Sequence, residues 1–174
     1  KSGIPVLLKE KNEFNGILKY LQNHSNDQKN LFEISSSSIM NNDDSRSPSN
    51  VVLFDDRKNI FTSENVENSW ICFDFGKRKI VPLNYSIRSC SSVKSCANLK
   101  SWIVEGSNDN YNWLIIDKQI NSQLLNGSSM VQSFNVNNFN FLEFRFLRLR
   151  QTDLNWCDNS RLYIDSMEFF GYLI

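Results

Sequence analysis

The sequence has a single histidine, no excess of either charge and no long apolar run. Its 19 basic residues are matched by 19 acidic ones, which argues against the basic face of a nucleic-acid-binding protein. No stretch approaches the roughly 20 apolar residues that cross a bilayer, and no secretory leader pattern opens the chain. We therefore expect no nucleic-acid partner and no membrane span.

The scarcity of histidine also argues against an enzyme, because a Ser or Cys nucleophile usually depends on a histidine base. His24 lies at the end of a predicted helix, far along the chain from the predicted loops. The acidic pairs at 43–44 and 55–56 have no evident acid or base partner. The sequence contains neither a glycine-rich phosphate loop nor an H-E-x-x-H motif. We expect a non-catalytic protein.

The cysteines are too few for a disulfide-dense secreted scaffold. They are Cys72, Cys90, Cys96 and Cys157, and none has the short paired spacing of a zinc site. We expect all of them to be reduced and the protein to be intracellular, either free in the cytoplasm or associated with the cytoskeleton. A bridge between Cys90 and Cys96, which would close a small loop, would contradict this expectation.

Residues 12–24 are predicted to form a helix, with Asn12 as its N-cap. One apolar stripe recurs at helical spacing and comprises Phe14, Ile17, Leu18 and Leu21. We interpret residues 1–30 as a helical lead-in that packs on the domain; a connector to an upstream domain or an oligomerisation helix is the alternative. Because the chain starts at Lys1 and not at Met, we expect it to be part of a larger protein.

After this helix the chain reads as short alternating strands separated by turn residues, with a long polar loop at 35–50. The predicted strands are 31–34, 70–75, 84–89, 99–106, 113–119, 130–136, 144–151 and 161–173. Many short strands with almost no helix indicate an all-β fold, an antiparallel β-sandwich over residues 31–174.

Four stretches in order carry a family resemblance: WICFDFG (70–76), LKSWIVEGSNDNYNW (99–113), FRFLRLRQT (144–152) and SMEFFGYL (166–173). Together they resemble the discoidin family, also called the coagulation factor V/VIII (F5/8) type C domain. The resemblance covers about residues 31–174 and is closest to discoidin-like regions of protist proteins, some with BTB domains. It implies a galactose-binding-like jelly roll whose ligand surface is formed by loops at one end.

Many sugar-binding members of that family hold a structural calcium ion, and the resemblance places the corresponding segment at 52–59. Only Asp56 and Glu168 match the calcium pattern, whereas Phe54, Asp55 and Asn59 depart from it. Calcium requires six to eight oxygen ligands. We therefore predict no metal site and no cofactor.

The loops that would form the ligand surface are 36–48, 90–98 and 153–160. The predicted ligand-binding residues are Ser38, Asn41, Arg88, Trp156, Asp158 and Arg161. Trp156 is the anchor candidate, because a loop-tip tryptophan offers a large rigid contact area. The alternative is that Trp156 folds back onto the sandwich and that Arg88 pairs locally.

These observations predict a non-catalytic binding module, with protein–protein interaction or scaffolding in a larger intracellular protein or assembly as the main hypothesis. The alternative is a lectin-like module that binds a glycan through the same rim loops. Membrane binding is disfavoured, since the loops are rich in Asn, Ser and Asp and carry little apolar area.

Overall fold

The computed structural model describes residues 2–24, 31–91 and 97–174. These residues form eleven short β-strands and one α-helix, α1 (Ile17–Asn23), near the N-terminus. The strands are β1 (Ile4–Val6), β2 (Glu33–Ser36), β3 (Phe61–Thr62), β4 (Trp70–Asp74), β5 (Ile80–Arg88), β6 (Trp102–Ser107), β7 (Leu114–Gln119), β8 (Val131–Asn135), β9 (Phe146–Gln151), β10 (Tyr163–Ile164) and β11 (Ser166–Leu173).

The strands pair antiparallel in two main sheets. A four-stranded sheet has the order β1-β11-β5-β8, and a five-stranded sheet has the order β2-β4-β9-β6-β7. A small third pair joins β10 to β3. The two large sheets stack with a shared apolar layer between them. The predicted all-β antiparallel sandwich with one N-terminal helix is confirmed.

Alternating apolar residues hold the two large sheets together. In β4 Ile71 and Phe73 are completely buried, and they lie opposite Leu149 and Leu147 of β9, which are buried as well. Phe73 meets Phe169 of the other sheet edge to face, with ring centroids 5.1 Å apart. The predicted alternation of inward and outward residues in these strands is therefore confirmed.

A polar chain crosses the core and joins both sheets. The indole Nε1 of Trp102 donates to the hydroxyl of Tyr85 at 2.9 Å, and this hydroxyl donates to Asp117 at 2.6 Å. Burial raises the pKa of Tyr85 well above its ordinary value, and the nearby Asp117 carboxylate adds to this effect. Tyr85 therefore stays neutral and fixes the depth at which β5 packs on β6 and β7.

The residues that carry the family resemblance meet on the outer face of the five-stranded sheet. Glu105 accepts from Arg148 at 2.8 Å and lies 3.4 Å from Arg150. The Arg148 guanidinium lies 3.9 Å from the centre of the Trp113 ring. Because Glu105 is only 4% exposed, the two arginines are needed to neutralise it. This cluster is structural and joins β6 to β9.

The N-terminal lead-in, residues 1–30, supplies a strand of the sandwich in addition to the predicted helix. Residues 4–6 form the edge strand β1, which pairs with β11, so the four-stranded sheet draws on residues before 31. The helix is shorter than predicted and begins at Ile17, because Gly16 is extended (φ −110, ψ −152). Its N-terminal amides are capped by the Glu168 side chain from β11, not by Asn12.

Two further predicted boundaries change. The polar loop at 35–50 begins with the end of β2 and then forms short 3-10 turns, in which Asp43 and Ser47 accept from the backbone amides of Ser45 and Ser49. The last predicted strand, 161–173, is divided into β10 and β11 at the buried Asp165.

The prediction that all cysteines are reduced is wrong, since Cys157 is disulfide-bonded. Cys72 keeps a thiol, and burial raises its pKa to about 12. Cys96 lies outside the described residues. Disulfides persist mainly in oxidising compartments. The intracellular location stays a prediction. The expectation that every cysteine is reduced no longer supports it. No helix within the described ranges is long and apolar enough to cross a membrane.

Candidate functional site

One end of the sandwich, which we call the rim end, collects the longest loops. There β2, β5, β7 and β9 finish, while β4, β6, β8 and β11 begin. The rim end is formed by loops 37–60, 63–69, 97–101, 120–130 and 152–162. Loops on a rigid sandwich are the usual place for recognition sites.

A cleft of about 360 Å³ opens at the rim end between loop 63–69 and loop 152–162. It lies at the lower end of the volume range of small-molecule sites. Its lining residues are Glu67, Asn68, Gln151, Thr152, Asp153, Leu154 and Ser160. The lining is mostly polar, with the 41% exposed Leu154 as its apolar member. We call this space the rim cleft.

Amide side chains, of which Gln151 and Asn155 are buried, hold the walls of the rim cleft in place. The backbone N–H of Ser160 donates to Asn65 at 2.7 Å and so joins the two loops. Gln151 donates from Nε2 to the carbonyl oxygens of Ser160 and Arg161. Asn155, which is fully buried, donates to the carbonyl oxygen of Arg161 at 2.9 Å and accepts from the amide of Cys157. The walls are therefore preorganised without a ligand.

Three of the predicted site residues meet beside the rim cleft, on Glu64. The Glu64 amide donates to the Ser38 hydroxyl at 2.9 Å, and the Asn41 amide donates to Oε1 of Glu64 at 2.6 Å. The Arg161 guanidinium lies 3.5 Å from Oε2 and also donates to the carbonyl oxygen of Ser63. This arrangement satisfies both carboxylate oxygens of Glu64, so these residues shape the loops around the rim cleft.

Arg88 lies apart from this group, on the outer face of the four-stranded sheet. It donates to the Ser166 hydroxyl at 3.1 Å, lies 3.8 Å from Asp165 and packs 4.2 Å from the ring centre of Phe14. Burial lowers its pKa, with the nearby Arg57 as the next cause. Arg88 was predicted either to bind the ligand or to pair locally, and in the structure it pairs locally.

Trp156 also adopts the alternative arrangement. Its Nε1 donates to the carbonyl oxygen of Ser122 at 3.3 Å, and Lys100 lies 4.8 Å from the ring centre. The side chain is half-buried against the rim and does not project from the loop tip. Asp158 is exposed in a turn with φ 56, away from the lining of the rim cleft.

The residues that line the rim cleft were missed by sequence reasoning, except for their loop at 153–160. Glu67 and Asn68 precede β4, and Thr152 follows β9, whose neighbouring ends pair through Trp70 and Arg150. That pairing was the available signal, because adjacent antiparallel strands bring the start of one beside the end of the other.

The two residues that match the calcium pattern are engaged otherwise. Glu168 is completely buried, and its carboxylate accepts from the backbone amides of Gly16, Leu18, Lys19 and Phe169 at 2.8–3.1 Å. Asp56 is exposed and lies 3.9 Å from the Lys58 ammonium. In residues 2–24, 31–91 and 97–174, no three His, Cys, Asp or Glu side chains are grouped closely enough to hold a metal ion.

Solved structures that resemble the chain include carbohydrate-binding modules and an F5/8 type C domain. A CBM32 carbohydrate-binding module from Clostridium perfringens, in complex with GalNAc-β-1,3-galactose, has a TM-score of 0.62 and 12% identity, over 81% of this chain and 96% of that one. An F5/8 type C domain from Bacteroides fragilis has a TM-score of 0.61 and 13% identity, over 81% and 91%. The chain has the F5/8 type C fold.

A third similar structure, the family 32 module of C. perfringens NanJ in complex with galactose, has a TM-score of 0.61 and 7% identity, over 80% of this chain and 93% of that one. No protein-family model and no curated protein matches the sequence. At these identities the F5/8 type C likeness concerns the fold, and the function must be argued from the site.

Proposed function

We propose that the chain is a non-catalytic glycan-binding module and that the rim cleft is its site. The observation that carries this proposal is a preorganised polar cleft of about 360 Å³ at the loop end of a discoidin-like sandwich. Structures of the same fold include a module in complex with galactose and another in complex with GalNAc-β-1,3-galactose. The proposal replaces the protein-scaffold hypothesis as our first choice.

The lining of the rim cleft suits a sugar. Thr152 and Ser160 offer hydroxyl groups, and Glu67 and Asp153 offer acceptors for the ring hydroxyls of a ligand. The half-exposed Leu154 can pack on the apolar face of a pyranose ring. A small ligand is oriented in a cleft by a few directional polar groups beside a small apolar surface.

A glycan array followed by isothermal titration with the best ligand tests the proposal. Ser160→Ala and Thr152→Val each remove one side-chain hydroxyl at the rim cleft. Each is expected to weaken binding about 2- to 10-fold. Ser35→Ala is the matched control, because Ser35 is exposed on β2, outside the lining of the rim cleft. An empty array, or equal losses for Ser35→Ala and Ser160→Ala, would refute the proposal.

Protein binding remains a second candidate, because the opposite end of the sandwich carries an apolar patch. We call it the far-end patch: Tyr111, Leu114, Ile115, Phe139, Phe141 and Leu142, each at least 43% exposed. Two hydrogen bonds, from Asn108 to the carbonyl oxygen of Glu143 and from the Asn137 amide to that of Ile116, join its two segments. Clustered exposed apolar residues commonly mark protein interfaces.

The second candidate predicts a partner that depends on the far-end patch. Co-purification from native extract should recover a protein with the wild type and lose it with Phe139→Ser. Leu7→Ser is the matched control, because Leu7 is 45% exposed and lies outside the patch. A partner that is retained equally by both variants would contradict this candidate and leave the rim cleft as the recognition site.

A further inference from the structure

The sequence contains three Asn-x-Ser motifs, the acceptor pattern for N-linked glycans when the middle residue is not proline. They begin at Asn23, Asn84 and Asn126. Ser25, the last residue of the Asn23 motif, lies outside the described residues. A glycan is bulky and needs an asparagine on the surface of the folded protein. The motifs at Asn84 and Asn126 differ in this respect.

The motif at Asn84 is built into the four-stranded sheet. Asn84 lies in the middle of β5, opposite Phe170 of β11 on one side and Asn135 of β8 on the other. Its Nδ2 donates to Asn135 Oδ1 at 2.6 Å, and Ser86, the third residue of the motif, is completely buried. A glycan here would displace a cross-strand hydrogen bond from a strand that is paired on both sides.

The motif at Asn126 lies in loop 120–130 of the rim end, and both neighbours of this asparagine are anchored to the sandwich. The Leu125 side chain is 1% exposed, and the carbonyl oxygen of Gly127 accepts from the Ser89 hydroxyl at 2.6 Å. Asn126 itself is exposed, and its Nδ2 donates to the side chain of Gln123 on the surface of the same loop. The Asn126 amide is therefore presented to solvent on a fixed turn.

The surroundings of the Asn126 motif also suit a carrier position. Ser128 is exposed, and its hydroxyl donates to the carbonyl oxygen of Ser91 at 2.9 Å. Leu124 and Met130 on the same loop are 47% and 37% exposed, and an attached glycan would add solubility to this apolar surface. Because Asn126 is not among the lining residues of the rim cleft, the glycan would be attached outside the proposed binding site.

The bond at Cys157 is a separate observation that concerns the compartment. Cys157 is disulfide-bonded, and disulfides persist mainly in secreted proteins and in the lumen of the endoplasmic reticulum. Acceptor motifs for N-linked glycans are used on surface loops of secreted proteins. The disulfide and the exposed motif therefore indicate the same route.

We propose that Asn126 carries an N-linked glycan and that Asn84 does not. The donor is an oligosaccharide attached to a lipid diphosphate. A bond forms between Nδ2 of Asn126 and the anomeric carbon of the first sugar, the bond from that carbon to the diphosphate breaks, and the amide nitrogen gives up one proton. This glycan is borne by the module and is distinct from one bound in the rim cleft. Its presence would contradict the predicted intracellular location.

Peptide mapping by mass spectrometry tests the proposal on the protein purified from the cells that produce it. The peptide that contains Asn126 should carry hexose and N-acetylhexosamine masses. Peptide N-glycosidase should remove them and convert Asn126 to aspartate. The peptide that contains Asn84 should be unmodified before and after this treatment. An unmodified Asn126, or a glycan on Asn84, overturns the proposal.

Substitutions at Ser128, expressed in the same cells, separate loss of the motif from a change in the loop. Ser128→Ala removes the motif and should abolish modification of the peptide that contains Asn126. Ser128→Thr is the matched control, because it keeps the hydroxyl and the motif and should stay modified. Modification that persists in Ser128→Ala, or that is lost in both variants, overturns the proposal. Titration of Ser160→Ala tests the rim cleft separately, since Ser160 lines it and Ser128 does not.

Discussion

Glu168 determines how the N-terminal segment is attached to the sandwich. The family resemblance makes this residue a calcium ligand, whereas here it caps α1 with two carboxylate oxygens that accept from four backbone amides. Burial raises the pKa of Glu168 to about 7, against the lowering effect of these amides. A glutamate at this position can thus cap a helix where the family resemblance implies a calcium ligand, and the residues at 54, 55 and 59 were the signal that calcium would not fit.

The raised pKa of Glu168 predicts a pH-dependent stability. A pKa of about 7 in the folded chain, above the ordinary 4.5, means that folding favours the protonated form. This contribution is fully present below about pH 4.5 and is lost as pH rises through about 7, with roughly 3 kcal/mol as its upper limit. Urea unfolding of the wild type between about pH 5 and pH 8 should therefore show falling stability.

Glu168→Gln separates this effect from other titrating groups. The variant cannot titrate at this position, so its stability should not show the fall between about pH 5 and pH 8 that Glu168 gives the wild type. The unfolding free energy of the wild type minus that of the variant should therefore decrease by up to about 3 kcal/mol over this range. A difference that stays constant or increases with pH would show that Glu168 is ionised throughout.

Phe141 is strained, because it has φ 51, a left-handed conformation that a bulky side chain rarely adopts. Its ring is 59% exposed, so little packing is lost on replacement. Phe141→Asn should raise the free energy of unfolding by about 0.5–1 kcal/mol, because Asn tolerates this conformation. Phe139→Asn, at an 85% exposed position without positive φ, should change it by less than about 0.5 kcal/mol. Equal effects in urea unfolding would contradict the strain argument.

At the scale of the elements, strongly alternating segments were predictable and short paired ones were not. The strands at 70–75 and 144–151 were placed within two residues of β4 and β9, because their inward residues fill the core. The strands β1 and β3 are three and two residues long and exist only through pairing with β11 and β10, which no local pattern encodes. The predicted helix start at Asn12 failed for the same reason.

The contact between α1 and β11 leaves no room for a side chain at Gly16. A Cβ there would lie against the carbonyl oxygen of Phe169 and 2.5 Å from Cγ of Glu168. Gly16→Ala should therefore cost about 2 kcal/mol or more by overpacking and by displacing the Glu168 cap. Gly76→Ala is the control, since it has φ 64 with open space around it and should cost about 1 kcal/mol. If Gly16→Ala proved the milder of the two in thermal or urea unfolding, the close packing of α1 on β11 would be contradicted.

For the whole molecule, the sequence pointed to the end of the sandwich that carries the rim cleft, but it did not predict the cleft itself. Ser38, Asn41 and Arg161 do converge, on Glu64, whereas Arg88 and Trp156 make local contacts. The rim cleft lies between two loops that are far apart in sequence and are joined by the hydrogen bond from Ser160 to Asn65. The shape of such a cleft depends on how the two loops are positioned relative to each other, and the pattern of apolar and polar residues does not specify this.

The cap at Glu168 also predicts how the whole fold responds to metal. The family resemblance implies a calcium ion between the segment at 52–59 and Glu168 on the last strand. Here Glu168 holds α1 instead. Because that carboxylate is completely buried and fully hydrogen-bonded, calcium would have to break the cap before it could bind. We expect the melting temperature to be unchanged, within experimental error, by millimolar calcium or by EDTA. A calcium-dependent rise that EDTA reverses, and that Glu168→Gln abolishes, would show instead that the cap is released and that Glu168 binds the ion, since a ligand specific to the folded state raises its stability.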